Sequence, residues 1–226
     1  MKAVYKITIG LFLAGAEMLM RLITELFHCF GQNLVLGKAY KGIVMTDGLG
    51  SFGWSTIANG LSGDFMGIEA VATVVGLFLV AWGTYELRTY HKRFSMAGAL
   101  AVLSAVSYVV YKLAPFVFAN QLKLQVYALV ISIALWIFFE SAMLFSLTKA
   151  MGKQVDAYLY MELEQDLQFG FEVYFMGNVV TYLVSIFRKV DLIRFFFMAG
   201  CLACVGACWY VGMRMYHYTK KLKLFS

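Results

Sequence analysis

The sequence predicts an all-α protein, a polytopic helical membrane domain of about six spans, each needing roughly 20 mostly apolar residues. The number falls to five if the N-terminal segment lies in the interface or is cleaved. Two observations carry this reading. Of the 226 residues, 62% are hydrophobic and only 14% charged, whereas soluble domains run at about 45–50% and about 25%. The apolar residues also come in continuous charge-free runs, not in the alternation that a lipid-facing barrel requires. The same composition excludes disorder, which needs low hydrophobicity and high charge.

Taken in chain order, the first segment is residues 1–30. Lys2 and Lys6 precede an apolar stretch from Ile7 to Ala16 that ends Ala14-Gly15-Ala16, the outline of a signal peptide with a small-x-small cleavage site. Apolar character continues through Met18, Leu19, Leu22, Ile23, Leu26 and Phe27, which favours a retained helix. On it, Glu17, Arg21, Glu25 and His28 are spaced 4, 4 and 3 and fall within an arc of roughly 80° at 100° per residue. Glu17 and Arg21, and Arg21 and Glu25, can pair at i,i+4. Such a stripe has to face protein, water or headgroups, because a charge at bilayer centre costs about 2.5–3.5 kcal/mol on insertion scales. Lys6, Gly10 and Ala14 extend the same side, and the small residues favour close helix packing.

Residues 31–65 form a Gly-rich extramembrane loop with Phe52, Trp54, Ile57, Leu61 and Phe65, read either as a flexible connector or as a partner-docking loop. It lacks the Gly-Lys-Ser/Thr ending of a phosphate loop. Residues 66–148 hold spans two to four. Glu69 opens the second, the third is charge-free from Phe94 to Tyr111, and the fourth carries Glu140 alone between Leu124 and Thr148. Intramembrane acids are functional candidates by default, and a Glu140–Arg21 pair is one expectation. Residues 149–168 read as an amphipathic acidic helix between spans four and five, with Val155, Leu159, Leu163 and Leu167 every fourth residue.

Spans five and six occupy residues 169–214, with Glu172 at the start of the fifth. In the sixth, Gly200, Cys201, Cys204 and Cys208 share one face and read as a helix-packing seam. Residues 215–226 are a basic tail. No second Cys or Cys/His set accompanies the seam, so no metal centre is expected. His28, His91 and His217 fall near predicted span ends and form no haem pair, so no cofactor is expected. The tryptophans and many tyrosines, Tyr108, Tyr111 and Trp136 among them, read as an interfacial belt.

Lys and Arg mark the cytoplasmic side. Arg88, Lys92 and Arg93 fall with Arg214, Lys220, Lys221 and Lys223 on one side, giving N-in and C-in in a bacterial cytoplasmic (inner) membrane, with Arg188, Lys189 and Arg194 against the trend. The net charge of +6 therefore reflects orientation, and no nucleic acid is expected as a partner. Expected partners are the lipid bilayer and other membrane-complex subunits, with a homo-oligomer also allowed.

One hairpin bears a likeness. A span ending Trp82-Gly83-Thr84-Tyr85-Glu86-Leu87-Arg88 is followed by a basic turn, Gly98-Ala99-Leu100, and a span ending Leu113-Ala114-Pro115. It resembles hairpins of small inner-membrane subunits of type IV secretion and conjugation machines, which implies a non-catalytic subunit of a multi-protein assembly. The residues themselves leave a second class open, a small transporter or channel that uses Glu140, Glu69 and the helix-one stripe for proton or ion coupling. No nucleophile elbow, HExxH or comparable constellation appears, so an enzyme is not expected. The partner or ion-path candidates are Glu17, Arg21, Glu25, His28, Glu69, Glu140 and Glu172.

Overall fold

The computed structural model describes residues 1–34, 68–118, 120–155, 161–185 and 191–224. These are 93% helical, with no strand among them. The helices are α1 (Lys2–Ala14), α2 (Ala16–Leu34), α3 (Ile68–Glu86), α4 (Lys92–Val117), α5 (Leu122–Val155), α6 (Met161–Ser185) and α7 (Asp191–Leu222). At Gly15 the backbone stays right-handed, and its N–H still reaches the Leu11 carbonyl. Helices α1 and α2 therefore run on as one rod, and Lys2–Leu26 is long and apolar enough to cross a membrane.

Four further helices meet the same criterion: α3, α4, and the segments Leu122–Gln154 of α5 and Arg194–Leu222 of α7. The N-terminal segment is thus one of the five, and α6 is the helix that falls short. Its sequence dilutes the apolar residues with Gln168, Glu172, Asn178, Thr181 and Ser185. Three of these polar residues, Asn178, Thr181 and Ser185, turn inward and are buried.

The helices form a closed, up-and-down ring. Each of α3 to α6 packs on its sequence neighbours, and the α1–α2 rod closes the circle by touching both α3 and α7. The register is antiparallel throughout: Gly83 meets Ala3 and Gly76 meets Gly10 across α1 and α3. Tyr5 meets Tyr216 and Phe12 meets Trp209 across α1 and α7. Both chain ends therefore lie at one end of the ring.

Close approach needs glycine at specific places. A Cβ on Gly76 would sit 2.5 Å from the Ala14 nitrogen and 2.6 Å from the Gly10 carbonyl oxygen. These are backbone atoms that cannot step aside, so α1 and α3 touch backbone to backbone. The expected seam on α7 packs in the same way against α6. A Cβ on Gly200 would run into Thr181 Oγ1, one on Gly177 would meet Cys204 Sγ at 2.9 Å, and Cys201, Cys204 and Cys208 are all buried.

Three readings of the sequence need correction. The acidic stretch 149–168 is not one helix: residues up to Val155 end α5, and those from Met161 open α6. Ala150 and Met151 at the end of α5 and Leu167 on α6 bury against one core from two antiparallel helices. The tail 215–226 is not separate from the sixth span, since α7 continues as helix to Leu222. The loop 31–65 begins inside α2, which extends to Leu34, and the rest of it lies outside the described residues.

Candidate functional site

The centre of the ring is filled at one depth by side chains from four helices. Glu17 on α2 is buried, and its two oxygens are fully engaged. Oε1 accepts from Arg21 Nε at 2.9 Å and from Lys112 Nζ at 3.0 Å, while Oε2 accepts from the Tyr108 hydroxyl at 2.8 Å. Arg21 also donates from Nη2 to the Tyr111 hydroxyl at 2.5 Å, and its guanidinium lies 5.4 Å from the centre of the Tyr182 ring. Trp136 on α5 closes the cluster. Its ring stacks on Tyr111 with centroids 5.8 Å apart, and it meets Tyr108 and Tyr182 edge-on at 4.8 and 5.9 Å.

The local sequence explains this convergence. Glu17 and Arg21 are one turn apart on α2, and Tyr108, Tyr111 and Lys112 recur at three and four residues on α4, so each set shares a face. Taking three charges out of water is costly, and the cluster holds together because the carboxylate's hydrogen bonds are all made and each cation has an anionic or aromatic partner.

This cluster borders a pocket of about 210 Å³ lined by Glu17, Met20, Arg21, Thr24, Glu69 and Lys112. Glu69 comes from the first turn of α3, brought opposite Glu17 by the antiparallel register. Two acids and two bases therefore line one small opening into the bundle.

The remaining candidates are distributed as follows. Glu25 is buried, with Arg194 of α7 4.0 Å from Oε2. The His28 side chain lies outside the described residues. Glu172 faces outward, accepting from Gln168 at 3.0 Å, and takes no part in the cluster. Glu140 is buried on α5, approached by the Tyr174 hydroxyl of α6. It does not pair with Arg21, whose bonds go to Glu17 and Tyr111. Acidic residues of the stretch 149–168 are matched within the chain: Glu164 by Lys149 at 2.6 Å and Asp166 by Arg214 at 3.3 Å. Near the chain ends, Lys6 pairs with Glu86 and lies 4.2 Å from the centre of the Trp82 ring.

Sequence reasoning missed Lys112, Tyr108 and Tyr111 as site residues, and it placed both tyrosines and Trp136 in an interfacial belt. They are instead at most 1% exposed. The available signal was that Lys112 shares a helical face with Tyr108, one turn before it. Trp82, Tyr85 and Tyr90 are exposed, as a belt requires. No group of three or more potential metal-binding side chains occurs among the described residues. No protein-family model, curated protein or solved structure matches the chain.

Proposed function

We propose that the protein is a small membrane transporter that admits a charged solute to the pocket beside Glu17, Arg21, Glu69 and Lys112. The observation that carries this reading is the pocket's lining: four ionisable side chains from three helices converge on one opening into the ring. Charged residues at membrane depth face a bundle interior or a water-filled cavity and mark solute and ion pathways. A volume of about 210 Å³ lies below the roughly 300–1,000 Å³ of pockets for drug-sized ligands. The solute is therefore an inorganic ion or a small zwitterion.

In this reading α6 is the sixth span, paired on both sides with helices of spanning length. The membrane is a bacterial cytoplasmic one, with both chain ends inside. Lys2, Lys6, Arg88, Lys92, Arg93, Lys149, Lys153, Arg214, Lys220 and Lys221 gather at the end that holds the termini. Among the described residues, Arg21, Lys112, Lys123 and Arg194 lie away from that end, the first two of them paired with Glu17. That bias matches the positive-inside rule.

A non-catalytic subunit of a secretion-type assembly ranks second. Described members of two surfaces it would offer to partners, Glu17 and Arg21 of the helix-one stripe and Glu164 and Asp166 of the acidic stretch, are engaged within the chain itself.

The test is current measurement on proteoliposomes adsorbed to a solid-supported membrane, jumped through a panel of inorganic ions and zwitterionic amino acids. A solute-specific transient that Glu69→Gln abolishes in correctly folded protein supports transport. No transient across the panel, together with a defined set of co-purifying membrane proteins by native mass spectrometry, overturns it in favour of the subunit.

A further inference from the structure

Polar groups that the protein leaves without partners are concentrated in one layer of the bundle. Of nine buried side-chain atoms with unmet hydrogen-bonding capacity among the described residues, six lie within two short stretches. Glu140 Oε2, Trp136 Nε1 and Ser141 Oγ belong to α5, and Asn178 Oδ1, Thr181 Oγ1 and Tyr182 Oη to α6, with Trp136 turned toward the Glu140 carboxyl and Thr181 toward the Cys201 and Cys204 thiols. The antiparallel register sets these stretches side by side, since Trp136 touches Tyr182 and Tyr174 approaches Glu140. Each such atom is costly when left unsatisfied, so their gathering in one place calls for a reason.

Glu140 is the demanding member. A hydroxyl or amide can be completed by one internal water, but an ionised carboxylate with a bare oxygen in a low-dielectric core needs a positive charge. None of the described side chains supplies one: Arg21 and Lys112 are both bound to Glu17. The titratable groups that face Glu140 are the Tyr174 hydroxyl from α6 and the Cys204 and Cys208 thiols from α7. Helix α4 brings no charged group to it.

We propose that Glu140 is a proton-binding site inside the bundle, with Oε2 as the atom that gains and loses the proton. Gain forms a neutral carboxylic acid from carboxylate and hydronium, releasing water; loss returns the proton to an internal water. The layer that holds it adjoins the charged cluster, because Trp136, one turn along α5 from Glu140, touches Tyr108, Tyr111 and Tyr182. The site stands on the packing of α5 to α7 and not on the transport reading, so its readout is spectroscopic.

Infrared difference spectra of the purified protein in lipid membranes, taken across acidic and alkaline buffers in H2O and D2O, test it. A carboxylic C=O band is expected that grows on acidification, shifts in D2O, disappears in Glu140→Gln and moves in frequency in Tyr174→Phe. A pH-dependent band that persists unchanged in Glu140→Gln, or the absence of any such band in the wild type, overturns the site. A band that sodium chloride erases and choline chloride leaves reassigns it to a metal cation and overturns the proton. If Glu140→Gln does not fold, Tyr174→Phe decides, and an unmoved band there counts against the proposal.

Discussion

Lys112 reaches across the ring to place its ammonium 3.0 Å from Glu17, 95 residues earlier in the chain, with both side chains 3% exposed. The contact joins α2 to α4, helices that are not neighbours around the ring, so it acts as a cross-brace at the bundle centre.

Glu17→Gln removes the one anion that both Arg21 and Lys112 share. Breaking a buried ion pair from one side costs about 3–5 kcal/mol, and a large fall in the thermal midpoint in detergent is expected. Glu17→Gln combined with Lys112→Met, which removes one stranded cation as well, is expected to recover part of it. A double variant no more stable than the single would argue that Lys112 does not depend on Glu17.

Tyr111→Phe tests the second attachment of Arg21. Deleting the hydroxyl leaves ring packing intact and removes one hydrogen bond to a charged group, worth about 1.5–3 kcal/mol. The same thermal assay reads it, and a neutral result would mean that Arg21 is held by Glu17 and Tyr182 alone.

Gly76→Ala is expected to destabilise by about 1–3 kcal/mol, the usual cost of overpacking, because its Cβ would strike backbone atoms of α1. Gly206→Ala is the internal control: a Cβ there meets nothing within 4 Å, and helix propensity favours alanine by about 1 kcal/mol. Equal losses at both positions would sink the backbone-contact interpretation.

Thiol chemistry tests the topology. Cys201, Cys204 and Cys208 are buried, so in a Cys29→Ser background the folded protein is expected to take up no maleimide until denatured. In that background Thr89→Cys and Lys220→Cys should label from one membrane face and Lys123→Cys from the other. Labelling of positions 89 and 220 from opposite faces would rule out the ring described above.

The class of fold was legible because continuous apolar runs have few other destinations. The helix-one stripe was legible too, since spacings of 4, 4 and 3 define a face whatever surrounds it. What spacing could not supply was the partner. Lys112 sits just beyond a charge-free run and reads locally as the end of a span, and only the register of α2 against α4 turns it inward. The same limit applies to Tyr108 and Tyr111: an aromatic near a span end looks alike in sequence whether it meets headgroups or a buried cation. The division of residues 149–168 between two helices escaped for another reason. Apolar spacing records burial against a common core, and two antiparallel helices can share that core as readily as one continuous helix.

The Thr8 hydroxyl donates to the Gly212 carbonyl at 3.1 Å, across 204 residues of sequence. Closure of the ring thus depends on a contact between the two described helices farthest apart in sequence. Without α7 one flank of α1 has no partner, and chains truncated ahead of Gly212 are expected to keep that flank open. The ring is therefore sealed at a single seam, and losing it uncovers the flank of α1 that carries Tyr5, Thr8 and Phe12.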